Sequence, residues 1–376
     1  MQFLPMKTVY DSSLGRGTNY TTLAFQHDAL TLDRSFIRHR FGITNRTMFK
    51  EIHTAPFDSV LSTEYRRMLN VKRGSVYEGR VGLLERIRAT MKDTIAENWT
   101  PGGVHAMFHS SGLDSRVISY LLKELHMERG DDWLGTVVFC CSKWEGQVFK
   151  AIMEYEGWEP HQYIVAYEGR INPEYYSSSL LDFDGAWEWS GGASPLAVNL
   201  YWYPVIAAIE NGLLPTDTHI QTWSGQWGNT VFDYGSVTNG ALGIDKSTKM
   251  FYNSTLCQRP MYSEDHIRPY GAIPLAEVVC SSSIVLGEKL RPILVEYVDP
   301  QLAQFHNMNS DGDRHRRIAD WIVDQMRADY RSSWYGQNVC PDAKPAHKTT
   351  EFQDWCYHWT LASFCEELRR RGIEVR

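Results

Sequence analysis

Val104-His105-Ala106-Met107-Phe108 runs straight into His109-Ser110-Ser111-Gly112-Leu113-Asp114-Ser115, and past that turn Val117, Ile118, Leu121, Leu122 and Leu125 recur three and four residues apart. A short apolar run, a turn of small residues and a helical period make a strand–turn–helix unit. The pattern continues downstream, where Leu134 to Cys141 reads as a buried strand, Glu145 to Tyr155 as a helix and His161 to Tyr167 as another strand. Upstream, Val81, Leu84, Ile87, Met91 and Ile95 mark an amphipathic helix within Tyr77 to Glu97, ended by the Pro101-Gly102-Gly103 breaker. Strands and helices alternating in this way imply parallel strands joined by crossover helices. The expected fold is α/β, a doubly wound parallel sheet with a helical C-terminal part.

Farther along, Val198 to Glu210 reads as a helix capped by Asn211-Gly212, and His219 to Trp223 as a strand leading into Ser224-Gly225-Gln226-Trp227-Gly228. Beyond Asp245 the signals favour helices at Leu275 to Ser282, Arg316 to Tyr330 and Glu351 to Arg371. Residues 1–75 show weak periodicity and read as a small N-terminal region of uncertain fold, ahead of a main domain over 76–376.

The net charge of −7 argues against a protein that coats nucleic acid, which needs a basic face. Arg66-Arg67, Arg314-His315-Arg316-Arg317 and Arg369-Arg370-Arg371 read as solvated helix faces. The seven cysteines contain no CxxC pair and no metal-ligand spacing, so free thiols in a reducing compartment are expected. The opening MQFLPMKTVYDSSLGRG lacks a signal-length apolar run, and no stretch approaches a membrane span. A cytoplasmic protein, free of the membrane, is the expectation; a homo-oligomer is compatible with it.

A strand turning into a helix points backbone N–H groups and the positive end of the helix dipole at one spot. In Ser110 to Ser115 small residues let phosphate oxygens approach, hydroxyls add donors, and the Asp114 carboxylate beside a polyphosphate suggests a magnesium ligand. The same residues also suit an ordinary Ser-rich helix start with Asp114 in its first turn.

This segment resembles the SGGxDS signature of PP-loop ATP pyrophosphatases, with Ser111 in the place of the first glycine. Ser224-Gly225-Gln226-Trp227-Gly228-Asn229-Thr230-Val231-Phe232-Asp233-Tyr234-Gly235 is similar to the SGxGxDExFxGY segment of the same proteins. Order and context fit the synthetase domain of asparagine synthetase and its relatives, which include β-lactam synthetases and lasso-peptide cyclases. The likeness covers about 77–240 well and extends loosely toward 360.

That resemblance implies an adenine nucleotide alpha hydrolase-like fold and a cytoplasmic ligase with ATP and Mg2+ as cofactors. Such an enzyme adenylates a carboxylate with release of pyrophosphate and passes the acyl group to an amine, so its partners are small-molecule acids and amines. Carried over residue by residue, it implies that Ser110, Ser111, Gly112, Leu113 and Ser115 cradle pyrophosphate while Asp114 holds magnesium. Ser224, Gly225 and Gln226 would close over the α-phosphate, and Val138, Phe139 and Cys140 would line the adenine. Lys344 or Lys348 would supply the family's C-terminal lysine. The family's Asp-Glu pair is replaced by Asn229-Thr230, which leaves Asn229 a neutral oxygen for the metal; Asp233 stands four residues away. Gln2 stands where the family's glutaminase domain has a nucleophilic cysteine, and 75 residues are too few for that domain. Trp187, Trp189, Tyr201, Trp202 and Tyr203 suggest a stacking pocket for a planar substrate, or simply core. Two other readings stay open: a PP-loop modifier of a nucleobase or nucleic acid, and a non-catalytic nucleotide-binding relative.

Overall fold

In chain order the first elements are short: strands β1 (Tyr10–Ser12) and β2 (Gly15–Gly17), helix α1 (Tyr20–Ala24), and strands β3 (Ala29–Leu30) and β4 (Ile52–Thr54). The Asn19 side chain accepts the Thr22 N–H and so starts α1. Strand β1 lies between β2 and β4, antiparallel to both. These elements belong to a computed structural model that describes residues 10–17, 19–34, 37, 47–54, 74–141, 146–165, 183–185, 187, 205, 207–215, 218–225, 228, 266–284, 290–306, 320–343 and 351–376.

The central part follows as α2 (Arg80–Asn98), β5 (Val104–Phe108), α3 (Leu113–Arg129), α4 (Asp131–Leu134), β6 (Thr136–Cys141), α5 (Gly146–Tyr155), β7 (Tyr163–Val165), β8 (Ile220–Ser224) and β9 (His266–Ile267). The last part is helical: α6 (Ile273–Ser281), α7 (Leu290–Val298), α8 (Pro300–Gln304), α9 (Asp320–Ser332), α10 (Trp334–Asn338) and α11 (Glu351–Arg370), closed by strand β10 (Glu374–Val375).

Strands β5 to β9 form one sheet in the order β7-β6-β5-β8-β9, every pairing parallel. The α/β expectation therefore holds at the level of a parallel sheet with helices. Because side chains alternate along a strand, the sheet feeds two cores. Ala106, Phe108, Val138, Cys140 and Ile164 join one, together with residues of α9 and α11; Met107, Val137, Phe139, Cys141, Val165 and Trp223 join the other, with α2, α3, α5, α6 and α7. Each fully buried Leu, Ile or Met on α2 contributes about 1.5–3 kcal/mol of transfer free energy.

Some details differ from the sequence reading. The strand expected from Leu134 starts at Thr136, because Asp131–Leu134 coils into a helical turn before the chain reverses at Gly135. Val81, counted in the apolar stripe of α2, is 58% exposed, since the first turn of that helix projects beyond the face it packs on. Of the helix expected over Val198 to Glu210, positions 205 and 207–210 are helical among the described residues, and Gly212 ends it at φ +70.

The amino-terminal edge of the sheet is plugged. The Trp99 ring stacks on His105 at 3.6 Å and lies 5.0 Å from Trp223 and 5.5 Å from Trp133. Trp223 Nε1 donates to His105 Nδ1 at 3.3 Å, and burial lowers the His105 pKa to about 4, so the ring is neutral. The N-terminal elements bury against the C-terminal helices: Tyr20 and Phe49 each approach Phe364, and β10 pairs in parallel with β3. Among the described residues no helix is long and apolar enough to cross a membrane.

Candidate functional site

Register decides where the two motifs meet. Strands β5 and β8 are adjacent and parallel, with Phe108 opposite Ser224, so the turns leaving their carboxyl ends start side by side. Such an edge is where ligands of open parallel sheets bind, next to the point where the strand order reverses. The turn after β5 contains Ser111 at φ +50, the one non-glycine residue with positive φ among the described residues. Holding a serine in the left-handed region costs on the order of 1–3 kcal/mol, and glycine takes the same conformation freely.

Gly112 is the N-cap of α3 and offers no side chain to its first turn. The N–H groups of Leu113, Asp114 and Ser115 consequently have no acceptor among the described residues. Ser110 Oγ and Ser115 Oγ stand 3.4 Å apart beside them. Backbone donors, two hydroxyls and the positive helix end converge there, and this chemistry suits a polyphosphate.

The second motif closes on the first. A β-carbon on Gly225 would come within 3.1 Å of the Asp114 β-carbon and the Ser115 nitrogen, and one on Gly228 within 2.5 Å of Asp114 Cγ. Only glycine allows that approach. The Asp114 carboxylate is gripped from a third element: Arg291, at the start of α7, donates from Nε to Oδ1 at 2.8 Å and from Nη2 to Oδ2 at 2.7 Å. Tyr270 Oη donates to the Asp114 carbonyl at 3.1 Å. Burial raises the Asp114 pKa, and the bonds and charge of Arg291 offset only part of that rise.

This fork bears on magnesium. A divalent ion would need an Asp114 oxygen at about 2.1 Å with its lone pairs directed to the metal. Each oxygen instead spends a lone pair on a guanidinium N–H, and the guanidinium sets a positive charge beside them, so the carboxylate as held is a poor fit for a metal ligand. Asn229, the other expected ligand, lies outside the described residues, as do Gln226, Lys344 and Lys348.

Behind the turn is a buried polar relay. Ser111 N–H donates to His109 Nδ1 at 3.1 Å, so in the neutral ring Nε2 carries the proton and donates to Ser119 Oγ at 3.3 Å. Ser119 Oγ donates to Glu156 Oε1 at 2.8 Å, and Trp158 Nε1 to Glu156 Oε2 at 2.8 Å. Burial and then the Arg116 charge lower the His109 pKa to about 3; burial raises that of Glu156 to about 8 against the two hydrogen bonds it accepts. Arg116, fully buried, donates to the carbonyls of Ser111, Leu302, Phe305 and His306 at 2.8–3.0 Å.

No protein-family model matches the chain, and no curated protein matches it. The motif resemblance therefore rests on the residues themselves. Of those expected at the site, Ser110, Ser111, Gly112, Leu113, Asp114, Ser115, Ser224 and Gly225 do come together. Val138, Phe139 and Cys140 lie within β6, all paired with β5 and the last two also with β7; Phe139 packs 4.6 Å from Trp158, and the Cys140 carbonyl accepts the His109 N–H. In these positions they are core, the alternative noted for Phe139. Of the aromatic cluster only Trp187 is described, and it packs on Phe25 and Phe364. Arg291, Arg116 and Glu156 escaped the sequence reading, since nothing in local spacing connects them to the turn.

Proposed function

We propose that the chain is an ATP-using enzyme of the PP-loop kind, an AMP-forming carbon–nitrogen ligase similar to the synthetase domain of asparagine synthetase. The observation that carries this reading is the meeting of the two motifs. Ser111 adopts a left-handed backbone where the signature has glycine, and Gly225 and Gly228 of the second motif close on Asp114 and Ser115 of the first. The order β7-β6-β5-β8-β9, with helical packing on both faces, supports a doubly wound sheet of the adenine nucleotide alpha hydrolase-like type.

In the proposed reaction a carboxylate oxygen attacks the α-phosphorus of ATP, the bond to the bridging oxygen breaks, and pyrophosphate leaves. An amine then attacks the acyl carbon, loses a proton and releases AMP. The N–H groups of Leu113, Asp114 and Ser115 and the hydroxyls of Ser110 and Ser115 would hold the departing pyrophosphate, where preorganised donors lower the barrier most. Cys140, Cys141, Cys340 and Cys365 form no disulfide, which suits the cytoplasm as the proposed compartment.

A second reading has its own observation. The Arg291 fork on Asp114 fits a relative that kept the fold and the nucleotide but not the turnover. Exchange of labelled pyrophosphate into ATP, measured against a panel of carboxylic acids alongside ATP binding by calorimetry, separates the two. Exchange with any acid supports the ligase; ATP binding without exchange moves the assignment to the non-catalytic relative. A protein that binds no ATP refutes both.

A further inference from the structure

We infer that Arg291 takes the place of a protein-held metal ion at this turn: it is the fixed cation of the site, Asp114 is its carboxylate partner, and the turn accepts a diphosphate group without a divalent ion. This rests on the polyphosphate reading above and adds to it the kind of counter-charge the site uses.

A carboxylate in the first turn of a helix and beside a phosphate repels its ligand unless a cation stands between them. A magnesium ion would leave the couple with one net positive charge, whereas a guanidinium leaves it neutral. Arg291 does so in the geometry that suits it best, two parallel N–H···O bonds of 2.8 and 2.7 Å from one edge of the guanidinium. Gly228 presses so closely on the carboxylate that its own β-carbon would lie 2.5 Å from Asp114 Cγ, which closes that side to a hydrated ion. The pair is partly open to solvent, with 22% of the Arg291 and 15% of the Asp114 side chain exposed. The sequence agrees, for the second motif carries Asn229-Thr230 where the resembling proteins have two acids. A site that has given up a metal carboxylate and placed an arginine on the remaining one has lost the charge balance a divalent ion requires.

With the pair neutral, attraction for the ligand falls to the three first-turn N–H groups and the helix end. Binding should then be weaker than at a metal site and insensitive to chelators.

The test uses inorganic pyrophosphate as the probe and titration calorimetry as the readout, on the full chain, with EDTA and then with excess magnesium. Wild type is expected to bind with affinities within about twofold under the two conditions, after correction for magnesium pyrophosphate formation in solution. Arg291→Ala is expected to lose tenfold or more in EDTA and to regain binding with magnesium, because the freed carboxylate can then take the ion. If that variant does not fold, the pair Asp114→Asn with Arg291→Gln, which is neutral as the wild-type pair is, replaces it; it is expected to bind in EDTA within about twofold of wild type and to gain nothing from magnesium. Wild-type binding that requires magnesium overturns the inference and leaves the polyphosphate turn standing. Arg291→Ala binding in EDTA as wild type does, or the double variant losing tenfold or more in EDTA, also overturns it. Absence of pyrophosphate binding under both conditions overturns the inference together with the reading beneath it.

Discussion

Arg116 and Arg291 both hold the turn after β5, in different ways. Arg116 is fully buried and bonds the carbonyls of Ser111, Leu302, Phe305 and His306, whereas Arg291 keeps 22% of its side chain exposed and bonds a carboxylate. Desolvating a guanidinium is costly, and on the inner side the cost is offset by hydrogen bonds that tie the turn to the end of α8. The inner arginine shapes the turn; the outer one sets the charge a ligand meets. A structural role and a binding role can thus fall at one turn on identical side chains, separated by what each can touch.

The strongest way to break this comparison is Arg116→Met. Removing the buried guanidinium leaves its carbonyls without donors, and the expected loss is about 4 kcal/mol in urea denaturation. A loss under about 1 kcal/mol would mean the inner arginine is no more structural than a surface residue. Next in size is Gly228→Ala, whose β-carbon must push Asp114 aside. The expected cost is about 2 kcal/mol, with a matching fall in pyrophosphate affinity by calorimetry. Unchanged affinity would detach the second motif from the site.

A pH series sharpens the inner side. The Glu156 pKa is raised to about 8 from an ordinary 4.5, so the folded protein binds the proton more tightly and stability falls as pH climbs between those values. His109, lowered to about 3 from 6.5, works the other way: its contribution is complete above 6.5 and is lost as pH falls through 3. Between pH 6.5 and 8 Glu156 therefore acts without opposition from His109. Denaturation over that interval should show wild type losing roughly 1.4 kcal/mol per pH unit from this group, a slope absent in Glu156→Gln. Equal slopes would show that the carboxyl is ionised at neutral pH. The smallest effect is expected of Ser111→Gly, where relief of a left-handed serine and added freedom of the unfolded chain oppose each other, for a net change under about 1 kcal/mol. A loss of 2 kcal/mol or more would mean that the Ser111 side chain, not the backbone, holds the turn.

The part of the fold legible in the sequence is the part made by local period. Val104 to Phe108 as a strand, the helix beyond Gly112 and the strand ending at Ser224 follow from spacing within a few residues, as does the place where small residues gather. The site is legible only as far as its motifs. Arg291 lies 177 residues from Asp114, and its position in a helix of Leu, Ile and Val marks it as nothing more than the polar residue of an apolar helix. Glu156, just past the end of α5, has the sequence of a surface acid, and its burial comes from α3 and Trp158 closing over it. Arg116 falls in the first turns of a helix where a charge is ordinarily solvated, and α8 supplies the carbonyls that make it interior. Spacing carries no information about pairings made in space.

The pairing of β3 with β10 has a consequence for how the molecule is made. Leu32 N–H donates to the Arg376 carbonyl and Arg376 N–H to the Leu30 carbonyl, so β3 and the residues after it are zipped to the last residues of this sequence. On a ribosome adding ~5–20 residues per second, Ala29 and Leu30 emerge on the order of half a minute before their partner strand exists. Tyr20 and Phe49 wait as long for Phe364. Until then the nascent chain carries an uncovered aromatic face and an open strand edge, which makes this segment a place where crowded translation would lead to aggregation.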